Sequence, residues 1–154
     1  MKKIVLIILS ILFLIKSDLI FGQQAVVQKL SDLNFGDVFI GYSATVPDTD
    51  PRALKISFYH TSSTREDFYI TFTLPNNLTN GIDNIPINFN NYASWSRTDA
   101  TTGRTYFNPY SPLRIRRMRP AQVVYLWLGG QITSSSSITP GQYSGNIIIT
   151  IEVL

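Results

Sequence analysis

Alternation of apolar and polar residues with a period of two marks the strongest segments of the chain. Leu54, Ile56 and Phe58 alternate with Lys55 and Ser57, and Phe68, Ile70, Phe72 and Leu74 alternate with Tyr69, Thr71 and Thr73. Successive side chains of a strand point to opposite faces, so each run predicts a strand with one face buried. Val124, Leu126 and Leu128 are interleaved with Val123, Tyr125 and Trp127. That strand is apolar on both faces and is predicted to lie centrally. A fourth run, 147–153, sets Ile147, Ile149, Ile151 and Val153 against Ile148, Thr150 and Glu152. Weaker patterns predict strands over 26–35, 38–46, 85–89, 93–97 and 113–118. Stretches rich in Pro, Gly, Asn, Asp and Ser separate them at 47–51, 75–83, 108–112, 129–130 and 134–141, where turns are expected.

Helices have little material to form from. After residue 22, Lys and Glu occur only at Lys29, Lys55, Glu66 and Glu152, whereas β-branched and aromatic residues, which fit a pleated surface, are abundant. No run is long enough for a helical crossover, so the sheets are predicted to be antiparallel and the fold an all-β sandwich. No internal repeat or linker divides the chain after residue 22. One domain, 23–154, is expected.

Residues 1–22 read as a secretory signal. Lys2 and Lys3 precede an apolar run over 4–15, which Lys16, Ser17 and Asp18 then break. As a helix that run would span about 18 Å, against a hydrocarbon core of about 30 Å. A cleaved leader therefore fits better than a membrane anchor, and export to the periplasm, the cell surface or the medium is the expectation. The chain has no cysteine, so lipid attachment after the leader is ruled out. Loss of Lys2, Lys3, Lys16 and Asp18 removes most of the formal +3 charge of the whole chain. The remainder is close to neutral, which gives general nucleic-acid binding no electrostatic support.

The composition also excludes chemistries. Zero cysteine rules out disulfides, thiolate metal sites and a cysteine nucleophile. A single histidine, His60, rules out a multi-histidine metal centre. No Gly-x-Ser-x-Gly elbow accompanies His60, and only two of the acids are Glu, which suits paired-carboxylate hydrolysis poorly. A non-catalytic protein without cofactor or metal is expected. Asp48 and Asp50 lack a calcium-loop ligand set and are read as turn formers. Asn77-Leu78-Thr79 matches a glycosylation sequon, a frequent chance match.

The most informative tract joins Tyr125-Leu126-Trp127-Leu128-Gly129-Gly130 to a polar loop and then to Pro140-Gly141-Gln142-Tyr143-Ser144-Gly145. Gly141-x-Tyr143 at the start of a strand has the form of a tyrosine corner, in which the Gly permits the bend and the hydroxyl bonds back to the upstream backbone. An ordinary hairpin turn with a core Tyr is the alternative. Gly145 stands where an immunoglobulin domain carries its second Cys. This tract, the alternating run after it, and Leu33-Asn34-Phe35-Gly36 together resemble secreted pilin-like bacterial domains of the spore-coat-protein-U-like family. The resemblance implies an immunoglobulin-like sandwich and a role in surface appendages or coats, with other subunits or a second copy as partners through strand-edge pairing. It carries over no catalytic residue. The chain departs from the family in having no Cys. Before Leu33 its apolar residues Ala25, Val26, Val27 and Leu30 are spread over both faces, so a self-complete monomer is a second expectation beside donor-strand polymerisation.

Two features suggest ligands. Arg114, Arg116, Arg117 and Arg119 are interleaved with Ile115 and Met118. With a bulge at 116–117 all four face solvent, either to bind a polyanion through forked guanidinium contacts or to protect a sheet edge by charge. Tyr92, Trp95, Tyr106, Phe107 and Tyr110 lie among Asn, Ser and Thr, a composition suited either to stacking on glycans or to packing in the core.

Overall fold

The computed structural model describes residues 25–154; the predicted leader lies outside the described residues. Twelve strands follow in chain order: β1 (Ala25–Ser31), β2 (Ser43–Val46), β3 (Leu54–His60), β4 (Glu66–Thr73), β5 (Asn77–Thr79), β6 (Asn84–Asn88), β7 (Ala93–Ser96), β8 (Thr105–Tyr106), β9 (Leu113–Met118), β10 (Val124–Leu128), β11 (Gly130–Thr133) and β12 (Ile148–Val153). They form three sheets, ordered β1-β3-β10-β7-β8, β2-β11-β6-β5 and β12-β4-β9. Every pairing between named strands is antiparallel, and no helix occurs among the described residues. The architecture is an all-β sandwich in one domain.

Register explains the core. On β3 and β10 the pairs Phe58–Val124, Ile56–Leu126 and Leu54–Leu128 share one face and are buried. They join one apolar cluster with Phe68 and Ile70 of β4, Ile115 and Met118 of β9, Ile85 and Ile87 of β6, and Ile132 of β11. The Phe58 and Phe68 rings meet edge to face at 5.5 Å. Complete burial of such a side chain contributes roughly 1.5–3 kcal/mol, and with no cysteine the core is held without disulfides. His60 extends the inward row of β3. Its Nε2 donates to the Met118 carbonyl at 3.1 Å, and its ring lies 5.3 Å from that of Phe68. Nδ1 is buried without a hydrogen-bond partner among the described residues.

Several boundaries differ from the hydrophobic pattern. The Gly129-Gly130 pair is not a turn. Gly129 alone separates β10 in the first sheet from β11 in the second, and the chain passes directly from one sheet to the other. At that step the Gly129 N–H donates to Tyr92 O at 2.7 Å. A Cβ on Gly129 would stand 2.0 Å from Val46 O, so the strand crossing requires a residue without one. Residues 33–42 are irregular, where longer versions of β1 and β2 were expected. Asn34 Oδ1 accepts the Gly36 N–H at 2.8 Å, and Gly36 and Gly41 adopt φ of 68° and 81°, which breaks the extended backbone. Leu33, Phe35 and Val38 still pack on the core. β5 falls in the stretch expected to be a turn, because Asn80 and Gly81 (φ 89°) turn it into a hairpin with β6. β8, only two residues long, is held against β7.

Candidate interaction surfaces

β9 is an edge strand of the third sheet. Ile115 and Met118 are fully buried, while Arg114, Arg116, Arg117 and Arg119 are exposed. The register with β4 shifts between Phe68 and Glu66, and Arg117 sits at φ 52°. That bulge turns two consecutive arginines outward. Asp67 of β4 organises it: its Oδ2 accepts from Arg114 Nη2 at 2.7 Å and its Oδ1 from the Arg117 N–H at 2.7 Å. The Arg117 N–H first, and the Arg114 guanidinium second, hold the Asp67 carboxyl below its ordinary range. A carboxylate whose folded pKa is depressed stabilises the fold above its ordinary pKa, and that contribution is lost as pH falls through the folded value. Asp67→Asn is therefore expected to lower the melting temperature at neutral pH. The difference from wild type should vanish as both are acidified well below pH 4, as followed by melts at successive pH values.

The aromatic candidates do not assemble into one platform. Trp95 pairs with Leu126 and Thr105, whereas Tyr106 pairs with Ser94, so the two rings lie on opposite faces of the first sheet. Trp95 packs against the core. Tyr92 belongs to the bend between β6 and β7, with its N–H donating to Phe89 O. The Tyr110 hydroxyl accepts the Phe89 N–H at 3.2 Å, and its ring meets the Phe89 ring edge-on at 6.5 Å. Phe107 packs on Phe72 at 5.6 Å. Most of this set consolidates the fold, because inward register and bend geometry leave its rings apart.

At the C-terminal tract the Tyr143 hydroxyl donates to Thr139 O at 2.7 Å. Asp83 Oδ2 accepts the Thr139 N–H at 2.7 Å, and Ser144 exchanges backbone bonds with Thr79 at 2.9 and 3.0 Å. The hydroxyl and the N–H of Thr139 keep the Asp83 carboxyl below its usual range. Burial first, and the nearby Asp83 charge second, push the Tyr143 hydroxyl up. Gly141 does not have a positive φ; a Cβ there would meet Asn80 Nδ2 at 3.4 Å. Gly145 is packed more tightly, since a Cβ would lie 3.0 Å from Leu78 Cδ2 and 3.2 Å from Pro75 Cγ. Leu33–Gly36 and Thr139–Gly145, which carry much of the resemblance, line one open groove of about 710 Å³.

The outer face of the first sheet carries a cluster that period-two reading missed. Trp127 of β10 points outward beside Lys55 yet is 4% exposed. Arg104 lies 3.6 Å over its ring, held by Nε to Ala100 O and Nη1 to Asp48 O, each at 2.7 Å. Asp48 Oδ2 pairs with Arg104 Nη1 at 3.5 Å, and the two side chains are only 6% and 5% exposed. Ser94 Oγ donates to the same carboxylate oxygen. Asp48 lies in the expected turn, which the Asp50 N–H closes on Pro47 O at 3.0 Å, and it is also the buried partner of an ion pair. Asp50 does shape its turn: it accepts from the Arg52 N–H at 2.8 Å, and the Arg52 guanidinium lowers its pKa to about 2. Lys55 pairs with Asp99 at 2.6 Å and sits 5.6 and 5.8 Å from the Tyr125 and Trp127 ring centroids. The available signal was a central strand with large aromatics on its solvent side, which demand a cover.

No protein-family model matches this chain, and no curated protein matches it.

Proposed function

We propose that this chain is an exported, non-catalytic sandwich protein of a bacterial surface that works by pairing a strand edge with a second copy of itself. The observation that supports this reading is the inequality of the two edges of the third sheet. β9 carries four arginines and a bulge, devices that keep an edge from pairing. β12, at the other edge, pairs with β4 over six residues without a register shift and carries no Lys, Arg or Pro. Its outer groups include Ile148, 58% exposed, and Leu154 follows at 61%. β1 approaches this flank without pairing to β12 and adds the exposed Val27.

Antiparallel pairing of two β12 strands about Thr150 sets Glu152 opposite Ile148 of the second copy. Like charges then do not oppose each other, and the contact closes on a two-fold axis. β1, the segment that donor-strand polymerisation would send to a neighbour, is paired with β3 of its own chain. A closed dimer therefore suits this fold better than a polymer. Light scattering on a gel-filtration column, over a dilution series, should show a concentration-dependent dimer. Ile148→Lys together with Thr150→Lys should give a monomer with an unchanged circular dichroism spectrum. A wild-type monomer at every concentration, or a dimer indifferent to both lysines, refutes the reading.

A further inference from the structure

We propose that the cleft beside Trp127, on the outer face of the first sheet, binds a neutral saccharide. The cleft encloses about 210 Å³, room for a single sugar ring. Asp48, Thr49, Lys55, Asp99, Thr101 and Arg104 line it beside Trp127. The polar groups alternate in kind. Lys55 uses one ammonium hydrogen on Asp99 Oδ1, which leaves further donors on the nitrogen, and Asp99 Oδ2 accepts no hydrogen bond among the described residues. Arg104 is bound through Nε and Nη1, and its Nη2 makes no hydrogen bond among the described residues. The Thr49 and Thr101 hydroxyls likewise make none among the described residues.

This mixture selects a ligand class. A free anion would meet the carboxylates of Asp48 and Asp99, and a cation would meet Lys55 and Arg104. A vicinal diol suits both, because each hydroxyl donates one hydrogen bond and accepts others. Charged groups make the stronger hydrogen bonds to such hydroxyls. The groups are also fixed in advance: the Asp48–Arg104 pair is nine-tenths buried, and the Lys55 ammonium is steered by Asp99 and two aromatic rings. Pre-organised polar groups lower the cost of binding. Tyr125 stacks beside Trp127 at 5.9 Å. Tyr59 pairs with Val26 and Tyr106 with Ser94, so both stand on the same outward face. Both are exposed, giving apolar surface along the sheet for further rings. The site uses none of the β12 edge, so it stands or falls apart from dimerisation.

The test is a printed array of neutral and anionic oligosaccharides probed with the purified protein, followed by titration calorimetry on the best neutral hit. Wild type should bind a neutral glycan with an affinity indifferent to salt between low and high ionic strength. Lys55→Gln and Asp99→Asn lie at the open side of the cleft, with side chains 24% and 50% exposed in the wild type, and leave the Asp48–Arg104 pair intact. Each should weaken binding by at least about tenfold. Arg116→Gln and the Ile148→Lys, Thr150→Lys variant should bind as wild type does. Three results would overturn the proposal: no neutral glycan retained, only anionic glycans retained in a salt-sensitive way, or a neutral hit unaffected by either cleft substitution.

Discussion

Arg104→Ala should destabilise the domain by about 3–5 kcal/mol, the usual consequence of removing one partner from a buried ion pair. The loss is large because the substitution strands several groups at once. Asp48 stays behind with a carboxylate 6% exposed and, among the described residues, only the Ser94 hydroxyl as a side-chain partner. Ala100 O and Asp48 O lose their donors. Trp127 loses the guanidinium that lies 3.6 Å over its ring. Urea unfolding should show the shift as a lower midpoint. Trp127 fluorescence should move toward the emission of a hydrated indole before the global transition. Asp48→Ala should cost a similar amount, and the double substitution should cost much less than the sum. Arg52→Ala serves as the contrast: its pair with Asp50 has a half-exposed guanidinium, and exposed pairs contribute little. Equal losses for Arg104→Ala and Arg52→Ala would show that burial does not govern the pair.

Gly129→Ala should prevent folding or cost at least about 3 kcal/mol, beyond ordinary overpacking. The new Cβ would stand 2.0 Å from Val46 O, 2.8 Å from Pro47 C and 2.9 Å from Asp48 N. These are backbone atoms of β2 and the turn after it, so no side chain can swing aside. β2 is also paired to β11 through Val46 and Gly130, which prevents the strand from simply retreating. Gly130→Ala is expected to be milder, at about 1–3 kcal/mol, because its Cβ would meet Asn88 O at 3.3 Å and otherwise the movable rings and methyls of Phe35 and Leu33. Soluble yield and circular dichroism of the two alanine variants separate the cases. Comparable losses would show that the close approach of the β2 backbone to Gly129 is not the constraint.

These two sites differ in how far sequence alone exposes them. The inward rows of β3, β4 and β10 follow from alternation, since a strand with one buried face must place apolar residues at every second position. The bulge at Arg116–Arg117 follows similarly: keeping both Ile115 and Met118 inside requires one extra residue between them. The cover over Trp127 does not follow from any local pattern. Asp48, Ser94 and Arg104 are separated by 46 and 56 positions in their contacts, and Arg104 lies in a stretch between β7 and β8 that has no periodicity. Nothing local distinguishes Asp48, which is buried, from Asp50 two residues on, which shapes its own turn.

By itself, the sequence determined that this is an antiparallel, helix-free domain held by packing, because composition and period leave no other way to bury its apolar residues. Tertiary structure alone decided that Gly129 is a crossing between sheets and not a turn, since only the passage of β2 shows why a Cβ has no room there. It likewise decided which of the scattered aromatics stand together: Trp95 turns inward and Trp127 outward, according to the register each strand takes against its neighbour. Local pattern sets which residues must be buried. The partners that bury them come from chain segments dozens of residues away, and only the folded chain brings those together.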